Sequence, residues 1–191
     1  MRAFLLLCIL SVSTLLAAGP FGLHKGMKLG QIDKNAVKIR ENIYRVKVPT
    51  PNRDFDYYIV NVDPKLGLLK IIAVGKIIKT NDFGDQLRDE FEKYEHKLIV
   101  SYGKNLKFDY VKDDSIWNDS KYFMMGLEKE ERVLSAYWSS ENGSTLKNGI
   151  AQIGLKAVAL GGSKGYLSLA YEFDGFEEYI DLLENKPDDT L

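Results

Sequence analysis

The chain has 191 residues, with 26 basic and 27 acidic side chains and a formal net charge of −1. Neither sign forms a block, so composition gives no electrostatic footprint for nucleic acid or for an anionic membrane surface. One cysteine, Cys8, cannot build a disulfide framework, so a hydrophobic core has to hold the fold.

Met1-Arg2, an apolar run from Ala3 to Leu16, and the small residues Ala17-Ala18-Gly19 have the three-part layout of a secretory signal peptide. The run is about fourteen residues, short of the roughly twenty that a membrane-spanning helix needs. Residues 1–18 are therefore expected to be cleaved. That exports residues 19–191 to the periplasm or the medium, with no membrane-spanning segment. Losing Arg2 takes the net charge from −1 to about −2, and Cys8 leaves with the signal.

Pro20 to Ile32 predicts a short apolar strand or hook, then one or two helical turns around Leu29 and Ile32. Val46 and Val48 alternate with Arg45 and Lys47, the pattern of a half-buried strand, and Pro49-Thr50-Pro51-Asn52 ends it. Tyr57 to Val62 and Leu68 to Ile78 predict a hairpin closed by Asp63-Pro64-Lys65-Leu66-Gly67, with Gly75 marking a bend. A helix follows, capped by Asn81 or Asp82. Its stripe is Phe83, Leu87, Phe91, Tyr94, Leu98 and Tyr102, and Gly103 ends it. Glu92, Glu95, His96 and Lys97 fall on its polar flank.

Asn105 to Asn118 reads as a polar, acidic connection. Ser120 to Glu131 predicts a second helix, capped by Asp119 or Ser120. Arg132 to Ser139 predicts a strand with Leu134, Ala136 and Trp138 on one face, ended by the turn Glu141-Asn142-Gly143-Ser144. Ile150 to Leu160 and Tyr166 to Phe173 predict a second hairpin about Gly161-Gly162-Ser163-Lys164-Gly165. In its return strand Leu167, Leu169, Tyr171 and Phe173 alternate with Tyr166, Ser168, Ala170 and Glu172. A last helix carries Phe176, Tyr179, Ile180 and Leu183 on one face, and Asp188 to Leu191 fray.

These elements predict an α+β class: an antiparallel sheet of hairpins with helices packed on one face, in a single domain over 19–191. Hairpin then helix occurs twice, so two related halves, 19–105 and 119–186, are a further option beside the simpler one that hairpin plus helix is a common way to cover a sheet.

The chemistry-bearing residues are sparse. Only His24 and His96 are present, neither at metal-ligand spacing, so no zinc site is expected. There is no Gly-x-Ser-x-Gly elbow. Ser163 sits between strands rather than ahead of a helix, so its glycine-rich segment reads as a hairpin turn and not a phosphate loop. Asp113-Asp114 lacks the glycine and ligand alternation of a calcium loop. No catalytic residue, cofactor, metal or nucleic-acid partner is predicted. Aromatics are the remaining signal, because Trp and Tyr bury contact area with little lost rotamer freedom. Trp117, Trp138, Tyr137 and Tyr58 are the candidate binding residues.

Phe21-Gly22-Leu23-His24-Lys25-Gly26-Met27, with Leu29 and Ile32, resembles the Phe-Gly-Leu-x-x-Gly-Met opening of small exported bacterial proteins whose function is uncharacterised. More weakly, this opening is similar to exported domains of the β-lactamase-inhibitor-like fold, which act by binding proteins. The resemblance covers about twelve residues and assigns no site. The expected function is non-enzymatic binding of another protein or an envelope component through an aromatic-bearing sheet face. The alternatives are a glycan or peptide hydrolase using Asp and Glu residues, and a small-ligand carrier.

Overall fold

A computed structural model describes residues 19–185; the predicted signal peptide and the fraying expected of Asp188 to Leu191 lie outside the described residues. Nine strands form one antiparallel sheet. They are β1 (Val37–Arg40), β2 (Ile43–Val46), β3 (Phe55–Asp63), β4 (Gly67–Gly75), β5 (Ile78–Lys79), β6 (Leu106–Val111), β7 (Arg132–Ser139), β8 (Ile150–Gly161) and β9 (Lys164–Phe173). The order is β1-β2-β3-β4-β9-β8-β7-β6, with β5 paired to the end of β9. Two four-strand meanders thus run toward each other and meet where β4 pairs with β9.

The helices are α1 (Leu29–Ile32), α2 (Asp85–Tyr102), α3 (Phe123–Glu128) and α4 (Phe176–Glu184). The fold is α+β, as expected, and both long hairpins are where they were expected, the first with its return strand ending at Gly75 and resuming as β5. Helices α2 and α3 cover one face. Leu87, Phe91, Tyr94 and Leu98 of α2 are buried against Leu155, Leu167, Leu169 and Tyr171, and against Trp138 of β7 in the same cluster. Burial of this apolar stripe, rather than helix propensity, stabilises α2.

Helix α2 starts at Gly84, whose φ of +73° suits glycine, and a Cβ there would run into the Phe123 ring of α3. Of the two expected caps, Asn81 acts from one turn earlier, its Oδ1 accepting from the Asp85 N–H at 3.2 Å. Asp82 instead accepts from the Ser163 hydroxyl, and Thr80 Oγ1, not an expected cap, accepts from the Gln86 N–H. The opening motif folds as a 3₁₀ turn, Pro20–Gly22, that plugs the core. Leu23 is fully buried, and the Phe21 ring packs on Tyr58 and Phe55. Gly26 then lies against Gly67, where φ is +79° and a Cβ would strike the Gly26 backbone. The Gly26 N–H donates to the Leu68 carbonyl, locking hook to hairpin.

The short α4 sits on the side opposite α2. Phe176 lies beneath the Lys70 ammonium, 4.7 Å from ring centre to Nζ, and Lys70 bridges Glu172 at 2.7 Å. Lys70 and Glu172 point away from Ile71 and Tyr171, which face α2. A two-fold axis relating antiparallel β4 and β9 stands perpendicular to the sheet and keeps both helices on one face. Helices α2 and α4 therefore break the symmetry that the strand order suggests.

Several expectations change: the helix expected over Ser120 to Glu131 is a 3₁₀ turn at Ser120–Tyr122 followed by α3 alone. Residues 106–111, taken as part of a polar connection, form β6, paired in full register with β7. Residues 37–40, for which no element was expected, form β1, although Val37 and Ile39 alternate there with Lys38 and Arg40.

Candidate binding face

Strand registers place the outward residues of the sheet in rows that cross it. Beneath α4 the row is polar: Ile43, Asn61, Lys70, Glu172, Gln152 and Ser139. Tyr179 of α4 is buried there, and its hydroxyl accepts from Asn42 Nδ2 at 2.9 Å. The next row, clear of α4, is mostly apolar: Ile59, Ile72, Ala170, Gly154, Tyr137 and Leu106. The one after it reads Tyr57, Val74, Ser168, Lys156, Ser135 and Phe108. Tyr166 pairs with Val158 at the far end.

In these rows Tyr57, Ile59, Ile72 and Tyr137 are half-buried, Val74 and Ser135 are buried between them, and Lys156, Leu106 and Phe108 are exposed, so the surface is aromatic and aliphatic with few charges. The Arg45 guanidinium lies 4.6 Å over the Tyr57 ring, so its charge is partly absorbed by the face. Tyr137 leans over Gly154, where a Cβ would come within 3.3 Å of the ring, and Phe108 packs edge-on to it at 5.9 Å. Exposure increases toward β6, where Leu106, Phe108 and Tyr110 are 46%, 37% and 47% exposed.

The four aromatic candidates do not form one site. Tyr137 is on the open face. Trp138, one residue on, is fully buried on the α2 face, with its indole N–H donating to the Gly103 carbonyl at 3.0 Å. Tyr58 is also core. Its hydroxyl accepts from the Asn52 N–H at 2.8 Å, and burial pushes its pKa up. Neither offers contact area, because alternation turns both toward the helices.

Trp117 belongs to a different place, a pocket of about 400 Å³ beside α3. It meets Tyr122 edge-on at 5.5 Å, with Met124, Met125, Glu128 and Asp82 around them. The Ser163 hydroxyl donates to Asp82 at 2.6 Å, so the glycine-rich turn is a hairpin turn tied to the start of α2. Tyr57, Ile59, Ile72, Tyr166 and Phe108 are the face residues not singled out. The outer set Tyr166, Ser168, Ala170 and Glu172 was the available signal.

Other chemistry is scattered. His96 is exposed on α2, and the His24 Nδ1 is 3.2 Å from the Lys25 carbonyl oxygen. Asp33, Asp54 and Asp119 have pKa values held below the usual carboxylate range. The main causes are backbone N–H donors for Asp33 and Asp119, and the Tyr94 hydroxyl for Asp54. A general acid requires the opposite displacement. Glu95, expected on a solvated flank, is buried and held by Lys107 at 2.6 Å and Asn105 at 2.8 Å. Among the described residues no three His, Cys, Asp or Glu side chains converge as metal ligands, and no helix is long and apolar enough to cross a membrane. Compared with known proteins, the chain matches no family model, no curated protein and no solved structure.

Proposed function

We propose that this is an exported, non-enzymatic protein that binds another protein or a cell-envelope component through the open face of its sheet. One observation carries the reading: beyond the polar row under α4, the sheet holds the half-buried Tyr57, Ile59, Ile72, Tyr137 and Tyr166 and the exposed Phe108, and no helix among the described residues lies over them. Contiguous apolar surface of this kind marks interaction sites in proteins that otherwise bury such residues. Rigid strands hold the rings, so little side-chain freedom is lost on contact.

The test is site-specific photo-crosslinking in the native envelope. A photoreactive side chain at Tyr166 or Tyr57 is expected to give one discrete adduct. The same probe at Val100, exposed on α2, is expected to give none. Absence of an adduct at both face positions, in a chain that melts like the wild type, overturns the reading.

A further inference from the structure

Among the described residues the main path of the sheet ends on β1 and on β6, and these two edges differ. On β1, Lys38 and Arg40 carry the same charge, and the register with β2 slips between them. Like charge and irregularity protect an edge from pairing. On β6 the register runs unbroken from Leu106↔Tyr137 to Val111↔Arg132, and the next residue keeps it: the Lys112 N–H donates to the Glu131 carbonyl at 2.7 Å. Backbone groups alternate along an antiparallel ladder. Leu106, Phe108 and Tyr110 therefore turn theirs to β7. Lys107, Asp109 and Val111 present unpaired N–H and C=O groups to the open edge.

We propose that a second copy of this chain pairs with this edge, β6 against β6 in antiparallel, centred on Phe108. A two-fold axis perpendicular to the sheet preserves each face, so only registers centred on a residue are possible. Centring on Lys107 sets two ammonium groups opposite each other, and centring on Asp109 sets two carboxylates opposite each other. Like charges directly opposite are destabilising.

Centring on Phe108 reverses both problems. Lys107 meets the partner's Asp109, Asp109 meets the partner's Lys107, and Leu106 meets the partner's Tyr110. Each Lys107–Asp109 couple falls on outward backbone groups, so it exchanges two backbone hydrogen bonds. The charges then alternate through the interface. Glu95 holds Lys107 at 2.6 Å, Lys107 faces the partner's Asp109, and Asp109 in each copy is 3.6 Å from Arg132. On the other face the exposed Leu106, Phe108 and Tyr110 form one apolar row with their symmetry mates. This pairing does not depend on what the open face binds.

Crosslinking of the full chain carrying Cys8→Ser tests the register. At Phe108 the pair is non-hydrogen-bonded, with Cα atoms about 4.5 Å apart, inside disulfide range. Phe108→Cys is expected to give a disulfide dimer under mild oxidation. Tyr110→Cys is expected to give none, and the double variant Leu106→Cys/Tyr110→Cys is expected to restore it. Without cysteines, sedimentation equilibrium is expected to show a reversible dimer. Asp109→Pro removes an edge N–H but no β6–β7 bond, so it is expected to weaken the dimer about tenfold or more.

A chain that stays monomeric at every concentration, or crosslinks equally at positions 108 and 110, overturns the proposal. So does a foreign protein captured at β6 by a monomer. An Asp109→Pro chain that is monomeric yet still yields the Tyr166 adduct supports dimerisation and the binding reading separately. A dimer with no adduct at either Tyr166 or Tyr57 sinks only the latter.

Discussion

The two faces of the sheet are written by the same strands and treated in opposite ways. Under α2 and α3, Leu134, Ala136, Trp138, Ile153, Leu155 and Leu169 are all nearly or completely buried. On the other side, the alternate positions of those strands hold Ser135, Tyr137, Gly154, Lys156, Ser168 and Ala170. Small and polar residues therefore do not mean an unused face. They are interleaved with Ile59, Ile72, Tyr57 and Phe108, and α4 covers only the row that is polar. A sheet that needed the second face only for solubility has no reason to place its helix over Asn61 and Gln152 and leave the half-buried isoleucines without one.

Cutting into the covered face has the largest expected effect. Trp138→Ala removes a fully buried ring and the donor to the Gly103 carbonyl, the residue that ends α2. It is expected to cost about 4 kcal/mol in urea unfolding, the usual range for a core tryptophan. A loss below about 1 kcal/mol breaks the contrast between the faces. Next comes the anchor of α4. Tyr179→Ala deletes a buried ring and the bond from Asn42, with an expected loss of about 2 kcal/mol, because the short helix can partly settle into the gap. Hydrogen exchange is expected to rise in α4 and along the polar row while α2 stays protected.

Alkali separates the faces in another way. Burial pushes the pKa of Tyr171, packed under α2, far above the ordinary 10.0, and the neighbouring Tyr102 adds to it. Tyr94 moves in the same direction, through burial and then through its bond to Asp54. Below pH 10 both states keep these protons. As pH rises past 10 the unfolded chain releases them and the folded chain does not, so stability falls. Tyr171→Phe is expected to flatten that fall, measured by urea unfolding between about pH 9 and pH 11. An unchanged slope contradicts a closed α2 face.

Much of this layout was legible from local patterns. Strands β8 and β9 alternate over long runs, and the α2 stripe repeats every three or four residues, so class and hairpins follow from periodicity. What escaped depends on partners distant in sequence. Strand β6 alternates Leu106, Phe108 and Tyr110 with Lys107 and Asp109, but charge beside Asp113-Asp114 made the stretch read as a loop. Glu95 reads as solvated because the groups that hold it, Asn105 and the β6 residue Lys107, come from beyond its own helix. Tyr58 stands between Tyr57 and Ile59, and Trp138 beside Tyr137, so alternation separates the faces without saying which one the helices will take.

The smallest expected effect is the most discriminating. Tyr137→Ala is one residue from Trp138 and on the same strand, so propensity and position are nearly held constant. Its ring covers Gly154 and meets Phe108 edge-on at 5.9 Å, contacts worth about 1 kcal/mol together. Stability is therefore expected to drop slightly, while yield of the Tyr166 adduct drops several-fold if the ring is part of the contact surface. The ratio of those two losses separates a ring kept for packing from one kept for a partner. A stability loss matching that of Trp138→Ala, with the adduct unchanged, assigns Tyr137 to the fold alone and removes it from the binding face.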